Sequence, residues 1–280
     1  MTNKTKPFLK YLGNKFNQVK QIKKLLSEGD RFVEPFVGSG SVFLNTNYRR
    51  YLLCDSNADL INVFQILAEH KEKFIKYCKE MFVGLMNNSS SYNHLRNLFN
   101  NIDLVTATNA RKFDKAALFV YLNRHGFKGM TRYNLKGEFN VPFGYYDKPY
   151  FPEQEMLAFI EKINQAELVE FKACDFRDTF KTVRGGDVVY CDPPYSPLTA
   201  SSNFTRYSGQ AFTWYDQVEL IGLCKKIKKE FNIVSVVSNH DIAEVVNLYQ
   251  PNVMNMVKSF VRRSLNTANR ACAPELLVRV

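Results

Sequence analysis

Two short apolar segments with a glycine-containing loop between them constrain the fold more than any other feature. Residues 31–34 have the pattern of a strand and lead directly into Phe36-Val-Gly-Ser-Gly40. Residues 51–54 form a second apolar strand that ends at Asp55. A strand, a glycine loop, a second strand and then an acidic residue is the nucleotide-binding arrangement of Rossmann-like folds. The sequence therefore predicts a mostly parallel sheet with helices on both faces.

The alternation of strands and helices resumes in the second half of the chain. Thr213 and Asp216 have capping-box spacing and predict the start of a helix, as Ser56 and Asp59 do after the second strand. Two C-terminal strands are expected to form an antiparallel edge of the sheet. Such alternation is typical of an α/β fold. The further predicted strands are 168–171, 187–191, 233–238, 254–258 and 276–280.

Residues 70–150 interrupt this alternation. Helical spacing recurs three times there, and a glycine-rich, basic and aromatic segment follows at 124–150. Lys136-Gly137 stands between two short extended runs, which predicts a β-hairpin. We therefore expect a Rossmann-like unit of residues 1–69 and 151–280, and an inserted, mainly helical unit of residues 70–150. The three predicted helices are 71–82, 92–100 and 110–123.

The chain carries a formal net charge of +11, and one segment interleaves basic with aromatic residues. A surplus of this size implies a polyanionic partner, of which nucleic acid is the usual one. Basic side chains in residues 123–146 can meet phosphates, and aromatic ones can meet bases. A solvated loop has a similar composition and is the alternative. The basic residues are Arg124, His125, Lys128, Arg132 and Lys136, and the aromatic ones are Phe127, Tyr133, Phe139 and Phe143.

Several classes of protein and site are not expected. The six cysteines contain no CxxC pair and the four histidines do not cluster with them, so no metal site is predicted. No stretch approaches the roughly 18 consecutive apolar residues of a membrane helix. The N-terminal segment is polar and basic with no apolar stretch behind it, which argues against a signal peptide. We expect a protein that stays in the cytoplasm and does not enter a membrane.

The loop after the first strand predicts a nucleoside site. Gly38 and Gly40 allow a tight turn and a close approach of the backbone to a ligand. Asp55 falls at the end of the second strand, where a carboxylate can accept hydrogen bonds from both ribose hydroxyls. The full GxGxxG pattern is missing, so a mononucleoside such as S-adenosylmethionine fits better than a dinucleotide. A glycine turn with a helix-capping Asp55 is the alternative.

Asp192-Pro-Pro-Tyr195 follows another buried strand and indicates chemistry on an aromatic amine. The lone pair of the adenine amino group is delocalised into the ring, so that nitrogen is a poor nucleophile. Asp192 and the Pro193 carbonyl can accept its two N–H bonds and localise the lone pair toward a methyl donor. Prolines fix the backbone, and Tyr195 can stack on a base drawn out of the helix. A strand-ending turn with a capping aspartate is the alternative, and His240 and Asp241 are expected to be structural.

Five segments together resemble the Dam family of DNA adenine methyltransferases. The resemblance runs along nearly the whole chain, in the family's order of cofactor loop, recognition region and DPPY tetrapeptide. The segments are FLKYLGNK at 8–15, EPFVGSGSVFLN at 34–45, YLNR at 121–124, RYNLKGEFNVPFG at 132–144 and DPPYSPL at 192–198.

The resemblance implies methyl transfer from S-adenosylmethionine to the N6 of adenine in duplex GATC, with base flipping. Residues 1–69 and 151–280 would form the catalytic domain that binds the cofactor, and residues 70–150 the target-recognition subdomain. The implied cofactor-binding residues are Tyr11, Lys15, Phe36, Gly38, Gly40 and Asp55. The implied catalytic residues are Asp192, Pro193, Pro194 and Tyr195.

A further group of residues is expected to contact double-stranded DNA. Lys10 and Arg132 would read the outer guanines, and Phe127 would insert into the base stack. Residues 199–212 match the family's loop after the tetrapeptide, which would close over the base. The full expected set is Lys10, Arg124, Phe127, Lys128, Met130, Arg132 and Pro142, with Met130 and Pro142 at neighbouring base pairs.

Other functions are weighed against this one. Cytosine N4 methylation usually goes with Ser at the position of Asp192, and the recognition-region match argues against an RNA or protein substrate. A non-catalytic DNA-binding relic would explain the segment Tyr11-Leu-Gly-Asn14, where the family usually has Trp and two glycines. We expect an active enzyme that is a monomer in solution and works in a bacterial or phage-infected cell.

Overall fold

The computed structural model describes residues 4–195, 212–250, 255–262 and 272–280. Its described strands form a seven-stranded sheet in the order β3-β2-β1-β4-β5-β7-β6. The first five strands in this order are parallel to one another, and β7 runs antiparallel between β5 and β6, which confirms the predicted antiparallel edge. The strands are β1 (Arg31–Glu34), β2 (Arg50–Asp55), β3 (Leu168–Ala173), β4 (Asp187–Cys191), β5 (Val236–His240), β6 (Asn255–Arg262) and β7 (Cys272–Arg279).

The described helices confirm the α/β class. The predicted helices after the second strand and at 71–82 form one helix, broken at Lys71 by non-helical backbone angles (φ 47°, ψ −123°). This helix crosses the expected boundary at residue 70, so the division into two units stays a prediction. The helices are α1 (Val19–Leu25), α2 (Ala58–Glu80), α3 (Ser89–Asn100), α4 (Asn109–His125), α5 (Glu153–Gln165), α6 (Phe176–Phe180), α7 (Trp214–Phe231) and α8 (Ala243–Tyr249).

The two predicted capping boxes have different outcomes. At α7, the Thr213 side chain accepts from the Asp216 backbone and Asp216 accepts from the Thr213 backbone, so that capping box is confirmed. At α2, the prediction from Ser56 was wrong, because Asn57 caps the helix by accepting from the Leu60 backbone N–H at 3.1 Å.

Strand β5 and the predicted hairpin also differ from expectation. The strand begins at Val236 because Asn232 ends α7 in a left-handed conformation (φ 58°), and the chain needs residues 233–235 to turn into the sheet. The hairpin around Lys136-Gly137 is reduced to isolated antiparallel bridges, of which Tyr133 with Phe139 is the nearer.

A continuous apolar core joins the inserted helices to the sheet. Phe64 of α2 stacks on Phe159 of α5 at 5.1 Å between ring centroids, and Phe119 of α4 contacts Phe139 from the recognition region at 6.5 Å. All four rings lie in one buried cluster, which covers one face of the sheet. The segment around Phe139 is therefore packed on the core that carries the sheet.

A buried ion pair ties β1 to β4. The Arg31 guanidinium donates to both carboxylate oxygens of Asp187, at 2.9 and 2.6 Å, and to the Thr182 carbonyl at 2.8 Å. Both side chains are buried in the described structure. This bidentate geometry is the strongest form of such a pair.

We expect Arg31→Met to lower the free energy of unfolding by about 3–5 kcal/mol, because it leaves the Asp187 carboxylate buried without its cation. Urea denaturation measures the loss. The matched control is Arg49→Met, since Arg49 makes an exposed ion pair with Asp30 and should change stability far less. Equal losses in the two variants would contradict the structural role of the buried pair.

Candidate active site

The two motif loops meet at the point where the strand order reverses. Strands β1 and β4 are parallel neighbours, with Val33 aligned to Val189. From β1 the order runs one way to β2 and β3, and from β4 it runs the other way to β5. Ligands of open α/β sheets bind outside the carboxyl ends of the strands at such a switch point. The glycine loop follows β1 and Asp192 follows β4, so both open into the same crevice.

Asp55 is held rigidly at the end of β2. Its two carboxylate oxygens accept from the backbone N–H groups of Gly38 and Asn57, each at 3.0 Å. Burial raises the pKa of Asp55 to about 6, although both of these hydrogen bonds favour the ionised form. Each oxygen has a second lone pair. The carboxylate therefore has a fixed direction and capacity for two more donors.

The glycine loop has the backbone that the sequence predicted. Gly38 and Gly40 have φ values of 49° and 73°, which residues with a side chain rarely adopt. A Cβ atom at Gly38 would also lie 3.4 Å from the Tyr11 ring. The loop thus brings backbone N–H groups, the Asp55 carboxylate and an aromatic ring together around one space.

Aromatic rings form one side of this space. Phe36 is half-buried and packs on Phe176 and Phe212, with ring centroids 5.5 and 5.8 Å away. Phe36 was predicted from the sequence, whereas Phe176 and Phe212 were missed. The position of Phe176, just beyond the carboxyl end of β3, is a signal that could have found it. The predicted closing loop at 199–212 lies outside the described residues except for Phe212.

Lys15 and Asp192 form an ion pair at the mouth of the crevice. The Lys15 ammonium lies 2.8 Å from Asp192 Oδ1 and donates to the Gly13 carbonyl at 2.8 Å. It also lies 4.8 Å from the centroid of the Tyr195 ring. The Asp192 side chain keeps 20% of its surface exposed, whereas Lys15 keeps 4%. The structure thus brings a predicted cofactor residue into contact with the predicted catalytic carboxylate.

A further carboxyl group lies beneath this pair. Glu34 is fully buried at the end of β1. Burial and the negative charges of Asp192 and Asp55 raise the pKa of Glu34 well above its usual value. The negative charge of Glu34 is therefore disfavoured at this position.

Tyr195 is supported from behind by strand β5. Its ring packs against the His240 ring, with 4.5 Å between the centroids and a tilt of 60°. His240 is buried in the last position of β5. The expected structural role of His240 is therefore a packing contact with the tetrapeptide.

Lys10 is held at the edge of the crevice by three neighbours. Asn123 accepts from the Lys10 backbone N–H at 2.9 Å and donates to its carbonyl at 2.7 Å. The ammonium lies 4.5 Å from the Tyr146 ring centroid. A Cβ atom at Gly129 would lie only 2.3 Å from the Lys10 side chain, so glycine is required there. Lys10 therefore has a defined direction before any ligand binds.

Phe127 presents its ring on the surface beside two other residues that were predicted to contact DNA. Phe127 keeps 41% of its surface exposed, and its backbone N–H donates to the Pro142 carbonyl at 2.8 Å. The exposed Lys128 has a left-handed backbone (φ 53°), and its ammonium lies 5.2 Å from the Phe127 ring centroid. Phe127, Lys128 and Pro142 thus share one exposed surface.

Arg132 is oriented by a single partner. Its Nε donates to the Asn140 side-chain oxygen at 2.8 Å, and Nη2 donates to the Asn140 carbonyl at 3.0 Å. Within the described residues, both N–H bonds of Nη1 and one of Nη2 have no protein acceptor. These are the groups that a bidentate contact with guanine uses.

Two residues that were predicted to contact DNA, Arg124 and Met130, are buried. Arg124 keeps 7% of its surface exposed, donates to the Phe8 carbonyl and lies 5.5 Å from the Tyr150 ring centroid. Arg124 therefore makes a structural contact with the Phe8 carbonyl, and its contact with DNA stays a prediction. Met130 keeps only 6% exposed, so little of its side chain can touch a base pair in this conformation.

Comparison with known proteins supports the chemistry suggested by this crevice. Residues 11–263 match the family model of the D12 class N6 adenine-specific DNA methyltransferases. The chain belongs to that family. The DNA adenine methylases of Serratia marcescens, Vibrio cholerae serotype O1 and Escherichia coli strain K12 are each 42% identical over 98% of this chain, and 98%, 95% and 95% of those proteins are covered. The protein is an adenine-specific DNA methyltransferase, as the sequence predicted.

A hydrogen-bond chain connects the two ends of this methyltransferase's site, and the sequence did not reveal it. The Asn57 backbone bonds to Asp55, and the Tyr133 hydroxyl donates to Asp59 at 2.8 Å and lies 3.4 Å from the Asn57 side-chain oxygen. Asp59 also pairs with Lys115 of α4 at 3.1 Å. Tyr133, which is next to Arg132, is thereby joined through Asn57 to Asp55.

No helix among the described residues is long and apolar enough to cross a membrane. No group of three or more His, Cys, Asp or Glu side chains among them could hold a metal ion.

Proposed function

We propose that this methyltransferase transfers the methyl group of S-adenosylmethionine to the N6 of adenine in duplex GATC, after that adenine has rotated out of the helix. One observation carries the proposal: the glycine loop and the Asp192 tetrapeptide follow the carboxyl ends of two parallel neighbouring strands, β1 and β4, at the switch point of the sheet. The single chain supplies every residue invoked below, so we also propose that it acts as a monomer.

The residues of the first pocket fit S-adenosylmethionine. Asp55 can accept both ribose hydroxyls, and the Phe36 ring can pack on the adenine of the cofactor. The left-handed Gly38 and Gly40 leave room for the rest of the molecule. The bound cofactor supplies an electrophilic methyl group on a sulfonium.

Asp192 and the Pro193 carbonyl prepare the nucleophile. Each accepts one N–H of the target amino group, which turns the nitrogen lone pair toward the methyl carbon. Asp192 would accept the N6 proton that the amine loses on methylation. A carboxylate has about four lone-pair positions, so Asp192 can keep its contact with Lys15 while it accepts the amine.

The surface around the crevice fits a flipped base. Tyr195, supported by His240, offers a ring face on which adenine can stack. Extraction of a base leaves a gap in the duplex, and aromatic side chains can fill such gaps. Phe127 is exposed for that role. We propose that Phe127 enters the stack while Tyr195 holds the adenine.

Lys10 and Arg132 are proposed to read the outer guanines of GATC. Arg and Lys are the usual partners of guanine O6 and N7 in the major groove. Tyr146 and Asn123 orient Lys10, and Asn140 orients Arg132, so both cations are preorganised. Pro142 can contact a neighbouring pair, and Lys128 can meet a phosphate.

Restriction protection tests the proposed target. Plasmid DNA is incubated with the enzyme and S-adenosylmethionine, then cut with an endonuclease that cleaves only unmethylated GATC. We expect complete protection that depends on the cofactor. Cleavage at every GATC after prolonged incubation, with methyl groups incorporated elsewhere, would show that the target sequence is different.

The raised pKa of Asp55 predicts how cofactor binding depends on pH. Below a pKa of about 6 the carboxyl becomes protonated and loses acceptor capacity for the ribose hydroxyls. Calorimetry should therefore show affinity for S-adenosylmethionine falling as the pH is lowered through this value. Asp55→Asn should bind more weakly at neutral pH and lose this part of the pH dependence. An identical pH profile in the variant would contradict the ribose contact.

A further inference from the structure

The tetrapeptide is anchored by a side chain from a distant part of the chain. The Gln217 side-chain amide donates to the Pro194 carbonyl at 2.9 Å. Gln217 lies in the first turn of α7 and is fully buried. No sequence motif pointed to this residue, since its partner is a backbone atom 23 positions away.

A buried network fixes the direction of the Gln217 amide. Its oxygen accepts from the Asn239 side chain at 3.0 Å, and the same Asn239 nitrogen lies 3.3 Å from the Tyr249 hydroxyl. The Asn239 oxygen accepts from the His240 backbone N–H at 2.8 Å. Because Asn239 must present its N–H to Gln217, Gln217 must present its own N–H to Pro194.

This hydrogen bond acts on a backbone angle that the two prolines of the tetrapeptide leave open. Proline fixes its own φ, and a residue that precedes proline is restricted in ψ as well. Asp192 and Pro193 both precede a proline, but Pro194 precedes Tyr195. The ψ angle of Pro194 is therefore unrestricted by its neighbours. The position of the Pro194 carbonyl determines that angle, and with it the direction in which Tyr195 leaves the turn.

We propose that Gln217 is a positioning residue that sets the orientation of Tyr195 through the Pro194 carbonyl. The inference rests on the proposed function, in which Tyr195 holds the flipped adenine. Gln217 touches neither the base nor the cofactor. Its contribution lies in keeping the adenine ring, and therefore the amino group, aligned with Asp192.

Gln217→Met tests this role, since Met has nearly the same shape and no N–H. We expect the methylation rate per active site, at saturating DNA and cofactor, to fall about 10-fold, in keeping with the loss of one buried hydrogen bond. The affinity for S-adenosylmethionine should stay unchanged, because Asp55 and Phe36 are not touched. A fluorescent adenine analogue at the target position should stack less firmly in the variant.

A control variant separates positioning from the mere loss of an amide hydrogen bond. Gln65→Met makes the same substitution at an exposed residue that donates to the Phe171 carbonyl, also at 2.9 Å, away from the tetrapeptide. It should keep the rate per active site within about twofold of wild type, whatever its melting temperature. A Gln217→Met rate in the same range would overturn the proposal.

A double-mutant cycle with Tyr195→Leu shows whether Gln217 acts through Tyr195. If it does, Gln217→Met should slow the Tyr195→Leu enzyme far less than it slows wild type, because the energies of coupled residues are not additive. Fully additive losses would overturn the proposal. The wild-type arm of the cycle tests the proposed function separately. If wild-type enzyme failed to methylate GATC, the proposed function would be refuted and not the role of Gln217.

Asn239→Asp is a second variant that tests the same role if Gln217→Met does not fold. The carboxylate replaces a donor with an acceptor, so the Gln217 amide must turn over and point its oxygen toward the Pro194 carbonyl. We expect the same loss of rate with Gln217 itself intact. A wild-type rate in this variant would overturn the proposal as well.

Discussion

Replacing Asp192 with alanine is expected to reduce methyl transfer by roughly a thousandfold while DNA binding remains. Removal of one preorganised electrostatic contact to a reacting group typically costs a factor of this order. The target amine would lose its charged acceptor, and the nearby Lys15 ammonium, 2.8 Å from Asp192 Oδ1 in the native protein, would face the amine directly. Single-turnover transfer and DNA binding by fluorescence anisotropy measure the two effects separately.

Asp178→Ala is the matched control for this variant. Asp178 is an exposed acid of α6 whose ion pair is with Lys181, so its loss should leave the transfer rate unchanged. A normal rate in Asp192→Ala would show that the catalytic assignment is wrong. Loss of DNA binding in Asp192→Ala would show instead that the carboxylate acts in assembling the complex.

Replacing Arg132 with leucine is expected to lower the rate on GATC by about 10- to 100-fold, the usual cost of a lost bidentate guanine contact. Asn140 presents the Arg132 guanidinium with three N–H bonds available to a base, so leucine removes direct readout at one outer pair. The rate on a site altered at that pair should change little. The rate on GATC divided by the rate on the altered site, measured on otherwise identical duplexes, should therefore fall.

Arg111→Leu removes the same charge from an exposed position in the first turn of α4. It should weaken binding to both duplexes equally or not at all, since a phosphate-directed charge carries no sequence information. If Arg132→Leu lowered both rates by the same factor, Arg132 would be a backbone contact and the guanine assignment would be refuted.

The parts of this structure that sequence could predict are those fixed by local rules. The mostly parallel sheet with its antiparallel edge was predicted from the alternation of strands and helices, and the Thr213 capping box from two residues three positions apart. The start of α2 was missed because the Asp55 carboxylate holds the Asn57 backbone, which makes Asn57 and not Ser56 the cap. That preference depends on a buried acid whose environment the local sequence does not describe.

The same distinction between local and long-range effects applies to the candidate site residues. Asp55 and Asp192 were identifiable because each ends a predicted strand, and parallel strands bring their carboxyl ends to one edge. The burial of Arg124 depends on the Phe8 carbonyl, 116 residues away, and the anchoring of Pro194 depends on Gln217. Such pairings arise from the packing of distant segments, so composition and spacing could not reveal them.

The most direct test of the account is transfer of a tritiated methyl group from S-adenosylmethionine to a duplex with a single GATC site, followed by analysis of the modified base. The control duplex carries adenine that is already methylated at N6 in both strands. We predict labelled N6-methyladenine in the first duplex and no incorporation in the second. Equal incorporation into both, or none into either with folded enzyme, would contradict the proposed reaction at this site.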